Sequence, residues 1–415
     1  MRRFAAACLF VSVALAPAAD WPQWRGPAHD GTAPAKNLPV KWSEADVAWR
    51  VPLPGRSGAT PALVGDKLFV SSPDGDKLYL YCVSTAGKVE WRKELASGNR
   101  DRGFNSKNNA ATPSPIADAK NVWILVGTGD LFCFDHSGAR IWTRNLTKVH
   151  GPFTQDFGIG NTPLLHDGAL YFAVIHRRAE SYLLKVDAAT GKDVWKVDRP
   201  TDAQDESRDG YSSPIIAKNA AGKEELVVCA ADFASGYDPA NGKELWRSGE
   251  LNLSGNKFYR FIVTPVAAGD VVVVTACKNG PAHAIRLGGS GDVTKSHRLW
   301  TRAKDTPDVA TPAIADGLVY FVKTEGLVAA VDLKTGAQVW AERAGSGYFA
   351  SSPIVAEGKV YVTSERGKLF VLKAGRKFER LATNDLGDDI LATPVFADRR
   401  IYFRLKGSLV CVETK

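Results

Sequence analysis

Ten polar and charged residues of this chain have side chains that together could bind a ligand. They combine guanidinium groups, carboxylates, amides and imidazoles, which suit a polar small molecule, a carbohydrate or a peptide. The alternative is a solvated rim in which neighbouring charges form local salt bridges of little energetic value. The candidate residues are Arg102, Asn105, Asn109, His150, Asp156, His176, Arg177, Arg208, Asp209 and Arg260.

Catalytic and metal-binding arrangements are weaker hypotheses. His150 and His176 with Asp156 could form a metal site or an acid/base pair, but neither i,i+4 nor H-x-H spacing occurs between the histidines. The cysteines include no C-x-x-C pair and no Cys/His spacing suited to zinc. Three aspartates head Gly-containing turns, where local capping explains them better than catalysis. They are Asp187, Asp238 and Asp332. We predict no catalytic residue and no metal site.

The elements that carry the candidate residues belong to a repeat, whose cleanest copy runs from Ala310 to Trp340. Short apolar runs such as Leu318 to Val322 and Leu327 to Val331 alternate with the period of half-buried strands. An Asp-Leu-Lys-Thr-Gly turn at 332–336 precedes the last run. Each copy is therefore predicted to be a four-stranded antiparallel meander.

Each copy opens with a small hydroxyl residue followed by proline, which favours a strand start. The eight dipeptides begin at Thr60, Thr112, Thr162, Ser213, Thr264, Thr311, Ser352 and Thr393. Most copies close on a tryptophan, which is expected to pack against the next copy because its ring is too large for one small sheet to cover. These docking tryptophans are Trp49, Trp91, Trp142, Trp195, Trp246, Trp300 and Trp340.

The eighth copy ends after its third run, and the missing strand matches Val47 to Leu53 at the other end of the chain. An N-terminal strand that completes the last sheet closes a ring and leaves no long open edge. The sequence therefore predicts an all-β fold, an eight-bladed β-propeller over residues 42–415. An open solenoid is the alternative, and the split last copy argues against it.

The longest connectors from a fourth strand to the next first strand are residues 97–111, 148–161 and 200–211. These connectors cross one face of a propeller from rim to axis, and the loop at 176–180 should reach the same face. We therefore expect any pocket to lie toward blades 1 to 5.

Two segments precede the propeller. Residues 1–18 have Arg2 and Arg3, an apolar run and an Ala-Pro-Ala site, as in a secretory signal peptide. A membrane anchor is the alternative, but the apolar run is shorter than the roughly 20 residues that span a bilayer. Residues 19–41 contain Trp-Pro-Gln-Trp-Arg-Gly-Pro and are predicted to be an arm that docks on the propeller; a plug or a partner-binding segment is the other interpretation.

The charge balance argues against nucleic acid as a partner. The chain has 53 Lys and Arg and 45 Asp and Glu, so removal of the two arginines of residues 1–18 leaves a net charge of about +6. The basic residues are scattered among acids, which indicates a solvated surface. No later apolar run could span a membrane. We expect a soluble, monomeric protein in the periplasm or outside the cell.

The turn and tryptophan pattern resembles a known family. Asp-x-x-Thr-Gly-Lys-x-x-Trp, with single changes in two copies, occurs at 187–195, 238–246 and 332–340. It is similar to the tryptophan-docking repeat of pyrroloquinoline quinone (PQQ)-type propellers, which include quinoprotein dehydrogenases and the outer-membrane assembly protein BamB. The arm resembles the start of many secreted PQQ-like repeat proteins. The resemblance covers about residues 20–415 and implies the propeller fold.

The same resemblance bears on function. Quinoprotein dehydrogenases have a vicinal disulfide over the quinone, a tryptophan floor and a calcium-binding set beside a catalytic aspartate, and this chain has no adjacent cysteines. We therefore predict a non-enzymatic scaffold of the cell envelope, BamB-like in architecture, that binds envelope or secreted proteins or glycans and needs no cofactor. The alternatives are a dehydrogenase that uses PQQ and calcium in a reduced site, and a polysaccharide-binding propeller.

Overall fold

In a computed structural model, which describes residues 20–99 and 107–414, the chain forms eight β-sheets around a common axis. Each sheet has four antiparallel strands, and two sheets gain a short parallel strand at one edge. Among the described residues, helix is confined to Leu146–His150 and to the 3-10 turns Glu44–Asp46 and Asp205–Arg208. The predicted all-β, eight-bladed propeller is confirmed.

The blades are numbered in chain order, with strands given from the axis outward. Blades 1 to 4 consist of Ala62–Val64, Lys67–Asp74, Lys77–Ser84 and Val89–Ser97; Ile116–Ala117, Asn121–Leu125, Asp130–Asp135 and Arg140–Asn145; Leu164–His166, Ala169–Val174, Tyr182–Asp187 and Asp193–Asp198; and Ile215–Lys218, Glu224–Ala230, Phe233–Tyr237 and Glu244–Ser248. Blades 5 to 8 consist of Val266–Ala268, Val271–Thr275, Ala282–Arg286 and Arg298–Arg302; Ala313–Ala315, Leu318–Val322, Leu327–Asp332 and Gln338–Arg343; Ile354–Ala356, Lys359–Thr363, Lys368–Lys373 and Arg380–Asp385; and Val395–Ala397, Arg400–Arg404, Ser408–Glu413 and Val47–Pro52. The short edge strands are Thr32–Ala33 on blade 7 and Gly291–Asp292 on blade 4.

Burial differs between middle and outer strands. Every residue of Ala169–Val174 is buried, whereas Asp193–Asp198 alternates between exposed and half-buried positions. Leu318–Val322, for which alternation was predicted, is also buried throughout. Middle strands pack against a neighbouring blade on each face, so both faces need apolar side chains. Only the outer strands keep the alternation of half-buried sheets.

Blade 8 closes the ring with a strand from the start of the propeller. Val47–Pro52 pairs antiparallel with Ser408–Glu413, and Trp49 lies opposite Cys411. The closing strand begins at Val47 as predicted.

The five described cysteines are buried and form no disulfide.

A closed ring of hydrogen bonds joins the blades at the axis. In each blade, the hydroxyl of the Ser or Thr before the first-strand proline accepts a bond from the backbone N–H of the same residue in the preceding blade, over 2.9–3.3 Å. The ring residues are Thr60, Ser114, Thr162, Ser213, Thr264, Thr311, Ser352 and Thr393. In blade 2 the ring residue is Ser114, so the predicted start at Thr112 is wrong by two residues. A second Ser/Thr-Pro pair follows the first in that blade, and only the hydrogen bond distinguishes them.

We expect Thr311→Val to destabilise the protein more than Thr311→Ser. Valine keeps the shape of threonine but leaves the buried N–H of Thr264 without its acceptor, and an unsatisfied buried donor costs about 1–3 kcal/mol. Serine keeps the hydroxyl and loses one methyl group, which costs about 0.8 kcal/mol. Urea unfolding of both variants checks the result; equal midpoints would show that the ring bond contributes nothing.

Neighbouring blades are also joined at the rim by tryptophans. Six of the seven predicted docking residues donate an indole N–H, over 2.8–3.2 Å, to a backbone carbonyl in the turn of the following blade. They are Trp49, Trp91, Trp142, Trp195, Trp300 and Trp340. The turn glycines permit this contact: a Cβ atom on Gly87 would lie 2.5 Å from Trp49.

Trp246 departs from this pattern. Its indole N–H donates to the Glu225 carboxylate of its own blade at 2.6 Å, and Trp246 and Glu225 are each 1% exposed. The insertion in blade 5 supplies Gly291–Asp292, which pairs with the strand of Trp246. The usual docking position on the following blade is therefore replaced by an edge strand.

The arm crosses the axis on the face opposite the long connectors. Trp21 forms a β-bridge with Leu63 of blade 1, and the Gln23 amide exchanges two hydrogen bonds of 2.9 Å with the Leu165 backbone of blade 3. The arm then pairs with blade 7 through Thr32–Ala33. It thus contacts blades on both sides of the ring.

Within the described parts of the chain, no helix has the length and apolar character to span a membrane.

Candidate functional site: the axial cavity

The inner ends of the blades enclose a cavity of about 240 Å³ on the propeller axis. All eight ring residues line this axial cavity, and each is between 1% and 5% exposed. The rest of the lining comes from Trp24 and from the connectors that lead into the first strands. The connectors therefore form the mouth of the cavity.

The two halves of the mouth differ in chemistry. The connectors into blades 2 to 5 contribute charged, amide and aromatic side chains, namely Lys107, Asn108, Phe157, Tyr211 and Arg260. The shorter connectors into blades 6 to 8 contribute only Val309, Ala350 and Leu391 among the described residues. Long connectors can fold side chains back over the axis, whereas short ones can place only small aliphatic groups there. The cavity is thus polar and aromatic on one side and aliphatic on the other.

The arm supplies the residues at the inner end of the cavity. Trp24 lines it, and the guanidinium of Arg25 lies 5.5 Å from the Trp24 ring centre. Arg25 is 1% exposed and donates to the carbonyl oxygens of Pro312 at 2.6 Å and Pro353 at 3.4 Å, which directly follow two ring residues. Burial lowers the pKa of Arg25 to about 9, so it is still a cation at neutral pH. A positive charge therefore lies beside the hydroxyl ring.

Two cations at the mouth are held by carboxylates that do not line the cavity. Arg260 forms an ion pair with Glu206 at 2.6 Å and lies over Phe157, 4.9 Å from the ring centre. Lys107 forms an ion pair with Glu365 at 2.6 Å. These pairs fix the positions of both cationic side chains at the entrance.

Asp156, Arg177 and Asp209 form one cluster, as their predicted common face requires. Arg177 donates to Asp209 through Nε at 2.9 Å, Nη2 at 2.7 Å and its backbone N–H at 3.0 Å, and its Nη1 lies 2.8 Å from Asp156. Asp209 also accepts from the backbone N–H of Asp156 at 3.2 Å. Burial raises the pKa of Asp209, and the Arg177 guanidinium opposes that shift. The cluster joins two connectors and the loop at 176–180 behind the cavity wall.

His176 lies beside this cluster and is buried. Its Nδ1 accepts from the Thr154 backbone N–H at 3.2 Å, and its Nε2 lies 3.0 Å from the Glu180 carbonyl, which makes Nε2 the protonated nitrogen. Burial lowers the pKa of His176, so the ring is neutral at pH 7. Because both nitrogens are engaged, His176 holds its loop and has no nitrogen available for acid/base chemistry.

The other predicted residues are dispersed. His150 lies 3.3 Å from Asp193 near the outer strands of blades 2 and 3. Asn109 orients its connector by donating to the Arg56 carbonyl at 2.6 Å, and Arg208 ends a 3-10 turn. Arg102 and Asn105 lie outside the described residues. Among the described candidates only Arg260 lines the cavity.

Sequence reasoning missed most of the cavity wall. Trp24, Phe157 and Tyr211 are aromatic, whereas the residues predicted from the sequence are polar or charged. From the sequence, the ring hydroxyls are assigned only to strand starts. Their signal was present, since a hydroxyl residue precedes proline in all eight copies. Alanine or glycine would suit a strand start equally well, so this regularity pointed to a role for the hydroxyl itself.

The chain matches the model of the family described as outer membrane protein assembly factor BamB, over residues 32–197, 105–342 and 231–415. Together these matches cover almost all of the propeller. The protein belongs to this family. The resemblance predicted from the tryptophan pattern is thereby confirmed.

Solved structures of family-like propellers share the fold at low sequence identity. BamB from Moraxella catarrhalis is 14% identical, with a TM-score of 0.64 over 89% of this chain and 99% of that one. A europium-containing methanol dehydrogenase is 12% identical, with a TM-score of 0.72 over 94% of this chain and 90% of that one. At these identities the likeness establishes the architecture alone, which an assembly factor and a dehydrogenase share.

One curated relative is an enzyme. Tetrathionate hydrolase of Acidithiobacillus ferrooxidans is 24% identical over an alignment of 307 residues that covers 60% of this chain. The match spans 56% of the hydrolase. The remaining part of that enzyme has no counterpart in the alignment.

The described residues do not fit the calcium and quinone site of the dehydrogenases. Calcium needs several oxygen ligands, usually with carboxylates among them, and no described residue of the cavity lining is an aspartate or a glutamate. Within residues 20–99 and 107–414, no three His, Cys, Asp or Glu side chains form a group that could hold a metal ion. The described cysteines are separated along the chain and buried.

Proposed function

We propose that this family member is an exported binding scaffold of the cell envelope, without catalytic activity of its own. Residues 1–18, with the features of a signal peptide, support export. The observation that carries the proposal is the state of the ionisable groups around the mouth. Arg260 pairs with Glu206, Lys107 with Glu365 and Arg177 with Asp209. These groups hold connectors in place, as a rigid recognition surface requires.

The partner is an envelope or secreted protein, and apolar side chains on the mouth face support a protein surface over a glycan. Leu253 and Phe258 on the connector into blade 5 are 79% and 59% exposed, and Tyr348 on the connector into blade 7 is 62% exposed. Lysines lie near the two rings: Lys278 is 5.6 Å from the Phe258 ring centre and Lys107 is 5.1 Å from that of Tyr348. Tyrosine and phenylalanine side chains are enriched at protein interfaces relative to the rest of the surface.

We expect Phe258→Ser and Tyr348→Ser together to lower the retention of envelope proteins on the immobilised protein by about tenfold or more, because interface energy concentrates in a few aromatic anchors. Quantitative mass spectrometry of the retained proteins measures the effect. Ile141→Ser with Val194→Ser is the matched control, since both residues are about half exposed, at 49% and 52%, but lie on outer strands. Equal losses in the two double variants would contradict a mouth-face interface.

The hypotheses of an enzymatic function are tested on the same protein without residues 1–18. PQQ binding with and without Ca²⁺ by calorimetry, dye-linked oxidation of alcohols and aldoses, and hydrolysis of tetrathionate are measured in parallel. If the protein is a scaffold, it catalyses neither the oxidations nor the hydrolysis. Catalytic turnover in any of these assays would show that the protein is an enzyme.

A further inference from the structure

The hydroxyl ring has hydrogen-bond donors that the protein does not use. Each ring hydroxyl accepts a bond from the preceding blade, and a hydroxyl has one O–H to donate as well. None of the eight donates to a described residue. Nearby hydroxyls behave differently, because Ser57, Ser212 and Ser351 each donate to a backbone carbonyl. The cavity is therefore lined by a circle of O–H groups that lack acceptors.

The charges around the cavity have the same preference. Arg25, beside the ring, has a buried Nε without a hydrogen-bond partner, and no described carboxylate lies within ion-pair distance of it. At the mouth, Arg260 uses one N–H for Glu206 and donates no other bond to the described chain. Both arginines have some acceptors, but each keeps N–H groups that bond to no described residue, and a buried donor without an acceptor is costly. A ligand with negatively charged oxygens could accept from the N–H groups of Arg260 that are not used by Glu206, and the positive charge of Arg25 beside the ring favours such a ligand.

One acceptor in the wall is also unused. Asn108 donates through its amide nitrogen to the Phe157 carbonyl, and its Oδ1 is buried without a partner. A ligand with a hydroxyl or amino group could donate to this oxygen. Asn108 lies on the polar side of the mouth together with Arg260.

The size and the apolar wall limit the rest of the ligand. A volume of about 240 Å³ is below the roughly 300–1,000 Å³ of pockets for drug-sized molecules. Trp24 and Phe157 offer aromatic faces, and Val309, Ala350 and Leu391 form the aliphatic side. The ligand is therefore small and has an apolar body.

We infer that the axial cavity binds a small organic carboxylate whose oxygens accept from the ring hydroxyls and from Arg260, and whose apolar body packs against Trp24 and the aliphatic side. A hydroxyl or amino group on the body donates to Asn108. The inference rests on the proposed binding function and names the ligand class of its cavity.

The test uses 4-hydroxybenzoate and its neutral analogue 4-hydroxybenzamide as probes, with the protein lacking residues 1–18. Calorimetry and thermal shift should show that the carboxylate binds about tenfold tighter or more than the amide, because hydrogen bonds to a charged acceptor are stronger. Arg260→Gln should weaken carboxylate binding by about tenfold or more and change amide binding little.

Arg298→Gln is the matched control. Arg298 forms an ion pair with Glu250 at 2.6 Å, the same distance as in the Arg260 pair, but it lies on an outer strand of blade 5. Its loss should leave both affinities unchanged. Equal binding of acid and amide, no binding of the acid up to its solubility, or equal losses in the two arginine variants would overturn the inference.

Failure of the inference is distinguishable from failure of the proposed function. Absence of carboxylate binding, with envelope proteins still retained through Phe258 and Tyr348, would overturn the ligand class alone. Turnover in the enzymatic assays would overturn the scaffold.

Discussion

Replacing Trp246 with alanine is expected to lower the free energy of unfolding by about 3–5 kcal/mol, the usual cost of truncating a buried aromatic side chain. Trp246 is 1% exposed, and it provides a hydrogen bond of 2.6 Å to the equally buried Glu225. Without the indole, that carboxylate keeps, among the described residues, only the Asn219 amide as a side-chain donor, at 2.9 Å. The loss therefore combines a cavity with a poorly solvated buried acid.

Trp246→Phe separates the two contributions. It retains most of the apolar volume but removes the N–H, and loss of a bond to a buried charged group should cost about 1.5–3 kcal/mol. Trp195→Phe is the matched control, because its indole donates to the carbonyl of Pro239 at 3.2 Å on a half-buried rim; it should cost about 1 kcal/mol. Urea unfolding at pH 7.5 measures all three. If Trp246→Phe lowered the free energy of unfolding no more than Trp195→Phe does, the hydrogen bond to Glu225 would contribute no more to stability than a hydrogen bond at the rim.

Stability is expected to fall steeply on acidification between about pH 6.5 and 4, because His283 is buried as a neutral ring. Its side chain is 1% exposed and its Nδ1 has no hydrogen-bond partner. Burial first, and then the charge of Arg298, lowers the pKa of His283 to about 4, with Glu250 opposing. The unfolded chain takes up the proton at its ordinary pKa near 6.5, so the folded state loses stability as the pH falls through this range. The shift corresponds to an upper bound of about 3 kcal/mol.

His283→Leu removes the part of the pH dependence of stability that His283 causes. The variant should unfold near the wild-type midpoint at pH 7.5 and exceed the wild type by up to about 3 kcal/mol at pH 4. His29 in the arm has a pKa lowered to about 4 by burial and by the neighbouring His166 and Arg25, so the His283→Leu variant retains part of the acid sensitivity of the wild type. Chemical unfolding at half-unit pH steps measures the difference. Parallel curves for His283→Leu and the wild type would refute the assignment.

The fold was predictable because its rules are local and repeated. Proline after a hydroxyl marks a first strand and an Asp-to-Gly turn marks the last hairpin. Eight copies allow each signal to be checked against seven others. The missing outer strand of blade 8 identified Val47 as the start of the closing strand. Trp246 broke the pattern because the replacement strand, Gly291–Asp292, comes from an insertion without a repeat signal.

The cavity was less predictable because its wall is assembled from single residues far apart in sequence. Asp156, Arg177 and Asp209 look like ligand groups in isolation, but the structure satisfies them with one another. Trp24 and Arg25 reach the axis only because the arm crosses from blade 1 to blade 7, and no local pattern encodes that path. Arg260 is one of the ten predicted residues, and its position over Phe157 depends on two separate connectors.

The hydroxyl ring also has a consequence for scale. Each link is one N–H···O bond between adjacent blades, so the diameter of the cavity at the ring is set by the number of blades. Lengthening a connector can narrow or cover the entrance but cannot widen the cavity at the ring. Acceptance of a wider ligand on the axis would require a blade to be gained.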